Sequence, residues 1–448
     1  MKKNVLLLGA GLVARPLVRY LLRHQFNLVI ATRTVEKALA LLDGHTSGQA
    51  VRLDLTDSEG LDDLISQSDV VISLVPYSWH VKIVRRCIAL GKNMLTTSYV
   101  SNEMRSLTAD AEAKGLLILN ELGVDPGIDH MSAMRVIHGV EARQGTVVSF
   151  RSHCGGLPAP DSNDNPWNYK FSWSPRGVLL AGRNPARFLQ DGEVRDIEPD
   201  ELFANHWPIQ AEGVGSLEGY ANRDSLHYAG LYGLDKVETL LRGTLRFPGW
   251  SVMMKGLVDL GWLNLDPPPR NISTYGQLSL LLTGSSPEML SESAVRSVVA
   301  TRLGMDEDAD ALDRMAWVGL FSDRKLPEEE TCLDLLSHLL QEKLVYKPGQ
   351  RDMIVLLHEF VARFDDGRTQ KIRSTLVDYG HADGDSAMSR TVSLPCAIAT
   401  RLVLEGKIDL VGVHIPVKPE LYNPILDELA TLDIVCHEEF GEVEVDQK

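Results

Sequence analysis

Glycines near the start of the chain are spaced as in loops that hold a dinucleotide. Residues 9–14 read GAGLVA, directly after the apolar run NVLLLG and directly before a segment, residues 14–24, with helical apolar spacing. In this context Gly9 permits a tight turn, Gly11 lets the backbone approach a pyrophosphate, and Ala14 allows the helix to pack closely on the strand. Free amide groups at the start of the helix would face the phosphates. The sequence therefore predicts a dinucleotide site.

The end of the second predicted strand, residues 27–34, indicates which dinucleotide binds. NAD sites usually carry Asp or Glu at this position to bind the ribose hydroxyls, but this chain has Thr32, Arg33 and Thr34. A carboxylate would repel a 2′-phosphate, whereas a guanidinium binds one through paired hydrogen bonds. We therefore expect NADP(H). The alternative is that Arg33 is a solvated surface residue.

Later apolar runs predict further strands of the same parallel sheet. Ligands bind at the carboxyl ends of such strands. Asp54 ends the third strand, where it is placed to meet the adenine, and Val75 to Tyr77 end the fourth, beside the expected nicotinamide. The loops of the next two strands expose Ser98, Tyr99 and Asp125.

Composition excludes several classes of protein. The chain has 448 residues, enough for two or three domains, and its formal net charge of −16 argues against nucleic acid or an anionic membrane as main partner. No apolar stretch is long enough to predict a membrane span or a signal peptide. The five cysteines are scattered without a CxxC pair, which fits reduced thiols in a cytoplasm and predicts no metal site.

A long segment, residues 152–177, is rich in glycine, proline and aromatic residues. Such a run predicts neither a long helix nor a plain strand, and long irregular segments in compact domains are usually functional. Beyond it, residues 281–343 have helical spacing, and residues 352–380 predict a hairpin around Asp366-Gly367. Residues 391–408 predict a helix that is kinked or starts near Pro395.

Several segments together resemble the saccharopine reductase family, the NADP-dependent, L-glutamate-forming saccharopine dehydrogenases of the aminoadipate lysine pathway. They are NVLLLGAGLVA, DVVISLVPYSWH, NELGVDPGIDH, CGGLPAP with NPWNYKFSWSPRGVLLA, RGTLR, RDMIVLLHEF and STLVDYG. The resemblance implies an α/β protein that forms homodimers. Its parts would be a Rossmann-type parallel-sheet domain (residues 1–128 and 385–448), a mixed-sheet α+β substrate and dimerisation domain (129–205 and 345–384) and an inserted, mainly helical domain (206–344).

The family reaction is the reversible reduction, by NADPH, of the imine between L-glutamate and 2-aminoadipate 6-semialdehyde. The product, saccharopine, carries three carboxylates, so the pocket should hold fixed cations. Arg223 and Arg246 are the cations that the family motif supplies, and Lys170 is a weaker candidate. The alternative for Arg246 is a surface charge at a strand end. Implied substrate contacts are Pro76, Tyr77, Ser98, Tyr99, Asp125, Arg223, Thr244, Leu245 and Arg246. Implied cofactor contacts are Gly9, Ala10, Gly11, Leu12, Val13, Thr32, Arg33, Thr34, Asp54, Leu55, Val75, Ser98, Val124, Asp125, Pro126 and Ser174.

The resemblance also implies a role for the segment 152–177. It would form a wall of the substrate site, with Gly155 and Gly156 allowing backbone to approach the ligand and with Trp167 and Trp173 excluding water. The alternative is a loop that contacts a second subunit.

Proton transfer has three candidate groups, Tyr99, Asp125 and Cys154, which the resemblance places near the reacting carbon. Asp125 could orient the secondary amine or take its proton, and Tyr99 could donate a hydrogen bond to the carbinolamine oxygen. Cys154 is a poor acid unless its pKa is lowered, and a buried inert cysteine is the more common case. The amine of the substrate could carry the proton itself.

Two other functions fit parts of the pattern. Carboxynorspermidine dehydrogenase of polyamine synthesis also reduces an imine with NADPH, but its substrate has an amine where saccharopine has carboxylates, so fewer pocket arginines are expected. A non-catalytic NADP-sensing protein would tolerate loss of the arginines and of the segment 152–177. Both features are present in this chain.

Overall fold

The computed structural model of the chain describes residues 2–268, 272–288 and 291–443. Contacts within it define two compact units. The first contains the residues up to Thr146, Phe364–Asp366 and Leu376–Glu438, and the second contains Val147–Arg363, Gly367–Thr375 and the residues from Glu439 onward.

The N-terminal part of the first unit alternates strands and helices. These are β1 (Asn4–Leu8), α1 (Ala14–Arg23), β2 (Asn27–Thr32), α2 (Val35–Leu42), β3 (Gly48–Arg52), α3 (Ser58–Ser66), β4 (Val70–Ser73), α4 (His80–Leu90), β5 (Asn93–Thr96), α5 (Asn102–Arg105), α6 (Thr108–Glu112), β6 (Leu117–Leu119) and α7 (Ile128–Glu141).

The middle of the chain is richer in long strands and ends in helices before a hairpin. Its elements are β7 (Gly145–Pro158), α8 (Pro175–Ala181), β8 (Ala186–Gln190), β9 (Glu193–Ile197), β10 (His206–Ala211), β11 (Gly215–Ala221), α9 (His227–Leu231), β12 (Thr239–Arg246), α10 (Trp250–Leu260), α11 (Tyr275–Leu282), α12 (Glu292–Leu303), α13 (Asp310–Val318), α14 (Cys332–Lys343), β13 (Asp352–Phe364) and β14 (Thr369–Tyr379). The chain then continues through α15 (Ala387–Leu404), β15 (Gly412–His414), α16 (Pro419–Ala430) and β16 (His437–Val443).

The first unit is built on a seven-stranded sheet in the order β15-β6-β5-β4-β1-β2-β3. All six pairings between neighbouring strands in it are parallel. Its central strands are buried along almost their whole length, as expected where helices cover both faces of a sheet. The predicted Rossmann-type parallel sheet is confirmed.

The C-terminal segment completes this unit. Strand β15 adds to the edge of the sheet beside β6, while α15 packs on α1 and α16 packs on α7. Arg401 on α15 donates a 2.7 Å hydrogen bond to the hydroxyl of Tyr20 on α1, and both side chains contact Glu428 on α16. Three distant parts of the chain therefore share one polar cluster.

The predicted start of the helix near Pro395 was wrong. Helix α15 begins at Ala387, because Ser386 caps it by accepting the backbone N–H of Ser389 at 3.0 Å. Pro395 lies inside the helix.

The second sheet runs in the order β10-β11-β12-β7-β13-β14-β16, with β8 paired to β12 and β9 paired to β8. Strand β12 is parallel to β7 but antiparallel to β11, so the predicted mixed sheet is confirmed. The predicted hairpin at Asp366-Gly367 joins β13 and β14, and Gly367 has the positive φ (86°) that the turn requires.

Two segments differ from their sequence-based description. Residues 152–158, which open the glycine- and proline-rich segment, belong to strand β7, and the irregular part follows Pro158. Residues 206–246 contain β10 to β12, and the run of helices that follows begins at Trp250. The division into three domains stays a prediction.

Candidate active site

The turn between β1 and α1 has the shape that a dinucleotide needs. Gly9 has φ = 105°, and a Cβ there would lie 3.1 Å from the carbonyl oxygen of Leu74, so a side chain at this position would be strained. A Cβ on Gly11, in contrast, would meet no atom within 4 Å. Helix α1 has no side-chain cap at Val13 and no acidic residue in its first turn. The space beside Gly11 is therefore open, and the uncapped backbone N–H groups at the start of α1 lie next to it. This arrangement fits a pyrophosphate.

The remaining fingerprint positions surround this open face. Ala10 and Val13 are partly exposed, and the side chain of Leu12 is 76 % exposed. Ala14, in contrast, is fully buried, as expected of the residue that sets the distance between helix and strand.

Arg33 lies exposed just after β2, where an NAD site would carry an acid. Beside it, the side chain of Thr32 accepts the backbone N–H of Thr34 at 3.3 Å. Asp54 follows β3, and Leu55 after it is partly exposed. The pKa of Asp54 is lowered, first by hydrogen bonds from the backbone and side chain of Thr56 and then by the positive charge of Arg33. The guanidinium is thus the group best suited to a 2′-phosphate at this edge.

The segment after β4 contains the predicted residues Val75, Pro76 and Tyr77. Val75 is partly exposed, Pro76 is exposed, and Tyr77 is 82 % exposed on a short 3₁₀ turn that precedes α4. His80, at the start of α4, was not predicted as a site residue, yet its ring contacts two serine hydroxyls. Its Nδ1 lies 2.9 Å from the Ser73 hydroxyl and its Nε2 lies 2.8 Å from the Ser98 hydroxyl. Burial lowers the pKa of His80 to about 4, so the ring is neutral near pH 7.

Tyr99 and Asp125 are brought together by two neighbouring strand ends. The Tyr99 hydroxyl donates a 2.9 Å hydrogen bond to Oδ1 of Asp125. From residue 121 to residue 134 every residue is buried except Asp125, which is partly exposed between the buried Val124 and Pro126. The Asp125 carboxylate is therefore the one that is partly exposed in an otherwise buried stretch.

In the second unit, Arg246 at the end of β12 is a buried cation. Only 6 % of its surface is exposed, and its guanidinium carbon lies 5.0 Å and 5.2 Å from the ring centres of Tyr169 and Trp250. One guanidinium nitrogen donates to the carbonyl of Leu245 at 2.7 Å, whereas the buried Nε has no hydrogen-bond partner among the described residues. Buried charges normally have partners, so this guanidinium is poised to receive an anion.

Glu218 lies opposite Arg246 in the pairing of β11 with β12, but it serves another purpose. Its two oxygens accept the backbone N–H groups of Gly249 at 2.9 Å and of Ser251 at 2.5 Å, at the start of α10. Among the residues that the structure describes, no carboxylate forms an ion pair with Arg246. Its charge does act on Cys154 and Tyr220.

Cys154 and Thr244 are paired neighbours on β7 and β12, and both are partly exposed. Leu245 is fully buried. A Cβ on Gly155 would lie 2.7 Å from the carbonyl oxygen of Leu245. This glycine therefore permits the close approach of two strands, and its tight contact is with the protein's own backbone.

Arg223 follows β11, has φ = 58° and is exposed. It therefore differs from Arg246, which is buried. Lys170 is 2 % exposed and lies 2.6 Å from Asp164 and 2.5 Å from Gln350. This side chain already has its counter-charge, which weakens it as a ligand for a carboxylate. Ser174 is exposed and caps α8 by accepting the N–H of Gly177 at 3.2 Å.

Trp167, which was expected to keep water from a ligand, lies in the core of the second unit. It is fully buried, its indole N–H donates to the carbonyl of Arg314 at 2.7 Å, and its ring packs edge-on against Trp250. Trp173 is partly buried against the same core. Trp167 therefore packs against Trp250, one of the two rings beside Arg246.

Among the residues that the structure describes, none of the helices combines the length and the apolar character needed to cross a bilayer. The same residues contain no group of three or more His, Cys, Asp or Glu side chains placed to hold a metal ion.

Comparisons with known proteins agree over almost the whole chain. Residues 5–119 match the family model of the saccharopine dehydrogenase NADP binding domain, and residues 123–434 match that of the saccharopine dehydrogenase C-terminal domain. The saccharopine dehydrogenase [NADP(+), L-glutamate-forming] of Saccharomyces cerevisiae is 41 % identical over 96 % of this chain and 97 % of its own. The mitochondrial alpha-aminoadipic semialdehyde synthase of Bos taurus is 38 % identical over 96 % of this chain, which spans 47 % of that longer protein.

A solved structure agrees with these matches. The apo saccharopine dehydrogenase (L-Glu forming) from Saccharomyces cerevisiae superposes with a TM-score of 0.91 at 39 % identity, covering 98 % of this chain and all of its own. The N-terminal part of the chain is thus an NADP-binding domain, and the chain belongs to the saccharopine dehydrogenase family.

Proposed function

We propose that this protein is an NADP-dependent oxidoreductase that interconverts saccharopine with L-glutamate and 2-aminoadipate 6-semialdehyde, in the aminoadipate route of lysine metabolism. In the oxidative direction, saccharopine, NADP⁺ and water give glutamate, the semialdehyde, NADPH and a proton. The observation that carries the proposal is full-length similarity to a saccharopine dehydrogenase, combined with a buried arginine that has no carboxylate partner among the described residues.

The cofactor is assigned to the carboxyl ends of the strands in the first unit. The turn of residues 9–13 holds the pyrophosphate, Thr32 to Thr34 hold the 2′-phosphate, and Asp54 and Leu55 meet the adenine. When bound, the nicotinamide accepts or supplies the hydride. We propose Val75, Ser98 and the residues 124–126 as contacts of the cofactor, and Ser174 as a further candidate.

Substrate carboxylates are assigned to arginines of the second unit. Arg246 binds one of them, because a planar guanidinium in a dry, aromatic environment matches a carboxylate in geometry and charge. Arg223 binds another from its exposed position, and Thr244 and Leu245 line the site beside Arg246. Pro76, Tyr77, Ser98 and Tyr99 are further proposed substrate contacts.

Asp125, Tyr99 and Cys154 are the polar groups proposed near the reacting carbon, and the amine of the substrate can carry the proton itself. The Asp125 carboxylate can hold the ammonium of saccharopine and take its proton before hydride leaves the adjacent carbon. Tyr99 fixes this carboxylate by donating to Oδ1. Water that adds to the imine gives a carbinolamine, whose oxygen Tyr99 or Cys154 can contact.

The experiment that tests the function is a steady-state assay with NADP⁺ against saccharopine, lysine and carboxynorspermidine. Turnover of saccharopine alone is expected. Preference for carboxynorspermidine would establish the polyamine enzyme instead, and no turnover of any of the three would favour a non-catalytic NADP-binding protein.

Assembly and location belong to the same proposal. We propose that the protein is a homodimer of the cytoplasm, because the resemblance implies a dimer and the cysteines form no disulfide in the structure. Light scattering coupled to gel filtration measures the mass in solution, and a fluorescent fusion reports the compartment.

A further inference from the structure

Three buried ionisable side chains lie next to the loops that carry Tyr99 and Asp125, and none of them is assigned a role in the proposed mechanism. Glu121, Asp129 and His130 have side chains that are 4 %, 2 % and 0 % exposed. Nε2 of His130 lies 2.6 Å from Oε2 of Glu121, and Nδ1 lies 3.8 Å from Oδ1 of Asp129. Both ring nitrogens thus face carboxylates. Buried charges are costly unless paired, so this cluster needs an explanation.

Glu121 makes two hydrogen bonds to the loop that carries Tyr99, one to the residue on each side of Tyr99. Its Oε1 accepts the backbone N–H of Val100 at 2.9 Å, and its own backbone N–H donates to the carbonyl of Ser98 at 3.1 Å. The residue has φ = 59°, a left-handed conformation that a glutamate rarely adopts without support. The pairing with His130 supplies such support.

Asp129 likewise makes two hydrogen bonds to the turn that carries Asp125. Its Oδ1 accepts the backbone N–H of Gly127 at 2.5 Å, and its backbone N–H donates to the carbonyl of Val124 at 3.0 Å. The turn has little freedom, since a Cβ on Gly127 would lie 2.0 Å from the carbonyl oxygen of Gly123. The residues on either side of Asp125 are therefore fixed by Asp129.

These contacts form a closed circuit. It runs from Tyr99 to Asp125 through their hydrogen bond, then to Asp129, to His130, to Glu121 and back to the loop of Tyr99. We infer that His130, held between Glu121 and Asp129, is a positioning residue that sets the distance between the Tyr99 hydroxyl and the Asp125 carboxylate. Its effect on turnover rests on the proposed function, because it acts through that pair.

The test compares three substitutions on α7. His130→Leu removes both polar contacts, and His130→Gln keeps a donor that can reach Glu121. His138→Leu, two turns further along the same helix, removes a 2.7 Å contact with Tyr422 and serves as the matched control. Because small misplacements of catalytic groups reduce rates strongly, His130→Leu should lower kcat for saccharopine by about tenfold or more. His130→Gln should recover most of that rate, and His138→Leu should keep the wild-type rate.

A double-mutant cycle separates positioning from general stability. In the Asp125→Asn background the further loss caused by His130→Leu should largely vanish, because the group that it positions is already gone. Equal losses in both backgrounds, or a folded His130→Leu protein with wild-type kcat, would overturn the inference. If His130→Leu does not fold, Glu121→Gln replaces it, since it keeps an acceptor for Val100 but removes the charge that faces His130.

Hydrogen exchange provides a measurement that needs no substrate. The amides of residues 98–101 and 123–128 should exchange faster in His130→Leu or Glu121→Gln than in the wild type, and should be unaffected in His138→Leu. Unchanged exchange would contradict the bracing role. A wild-type protein that fails to oxidise saccharopine would instead contradict the proposed function, while this measurement would still decide the inference.

Discussion

Tyr99 donates its hydroxyl proton to Oδ1 of Asp125 across 2.9 Å, although the two residues are 26 positions apart in the chain. Two of the three polar groups proposed near the reacting carbon are therefore a hydrogen-bonded pair. Cys154 belongs to a different strand system, on β7 beside Thr244. Substitutions at Tyr99 and Asp125 should consequently be coupled.

Proton transfer is the first property to test. A sole acid–base catalyst would contribute about 10²–10⁴-fold to the rate. We expect Tyr99→Phe and Cys154→Ser to reduce turnover only modestly, because the substrate amine and water can exchange protons themselves. Asp125→Asn should cost more, since its carboxylate also holds the ammonium of saccharopine.

The measurement for these three variants is turnover from acid to alkaline pH with saturating saccharopine and NADP⁺. The enzyme purified without substitution is the reference. A single substitution that removes about three orders of magnitude and one limb of the pH profile would reveal a dedicated base, contrary to this prediction.

Cofactor choice should depend on Arg33. We expect NADPH to be preferred over NADH, and Arg33→Asp to weaken NADPH far more than NADH, because the new carboxylate repels the 2′-phosphate. The measurement is kcat/KM with each cofactor. Arg23→Asp, an equal change of charge at the exposed far end of α1, should leave the preference intact. Equal efficiency of the unmodified protein with both cofactors would contradict the assignment.

Binding of the substrate carboxylates should depend on Arg246 more than on Arg223. Truncating one partner of a buried charge pair costs about 2–5 kcal/mol, so Arg246→Met should raise the KM for saccharopine strongly and leave NADPH binding nearly unchanged. Arg223→Ala should raise the same KM less, because its exposed charge is screened by water. Arg187→Ala, an exposed arginine of β8, is the control. Weaker NADPH binding with an unaltered saccharopine KM would move either arginine to the cofactor site.

Stability should fall between about pH 6.5 and about pH 4 because of two buried histidines. Burial lowers the pKa of His80 and of His153 to about 4, from 6.5 in the unfolded chain. Only the unfolded chain binds these protons in that range, so their contribution to stability is complete above pH 6.5 and is lost as the pH falls toward 4. Each group should cost roughly 3 kcal/mol in full.

His153→Phe tests this pH dependence. The ring nitrogens of His153 have no hydrogen-bond partners in the described structure, so the substitution removes the proton site without breaking a bond. Urea unfolding from pH 8 to pH 4.5 should show a smaller loss of stability for the variant than for the wild type. Parallel curves would show that His153 titrates normally.

The cofactor half of the fold and site was predictable because its signals are local. A strand, two glycines and a helix follow one another between Asn4 and Arg23, and Arg33 directly follows the next strand. His80 was not predictable in this way. Its partners Ser73 and Ser98 lie on other elements, and a single histidine carries no periodic signal. The same reason hid Glu121 and His130, whose roles appear only when two loops are seen side by side.

Strand β10 was missed for a different reason. Pro208 lies within β10, and a proline in an apolar run argues against a central strand. The structure accommodates it because β10 is at the edge of its sheet, where a missing N–H breaks no ladder. The burial of Arg246 could not be read from RGTLR either, since the aromatic rings around it come from Tyr169 and Trp250.

Synthesis on the ribosome imposes an order on the first unit. Strand β6 ends at Leu119, but its neighbour β15 begins only at Gly412, after the whole second unit has been made. At typical elongation rates of about 5–20 residues per second, the β6 edge waits for tens of seconds with unpaired backbone groups. During that interval the helix α1 also lacks its cover, α15. The nascent chain should therefore be most prone to aggregation, and most dependent on chaperones, between the completion of the N-terminal strands and the arrival of residue 414.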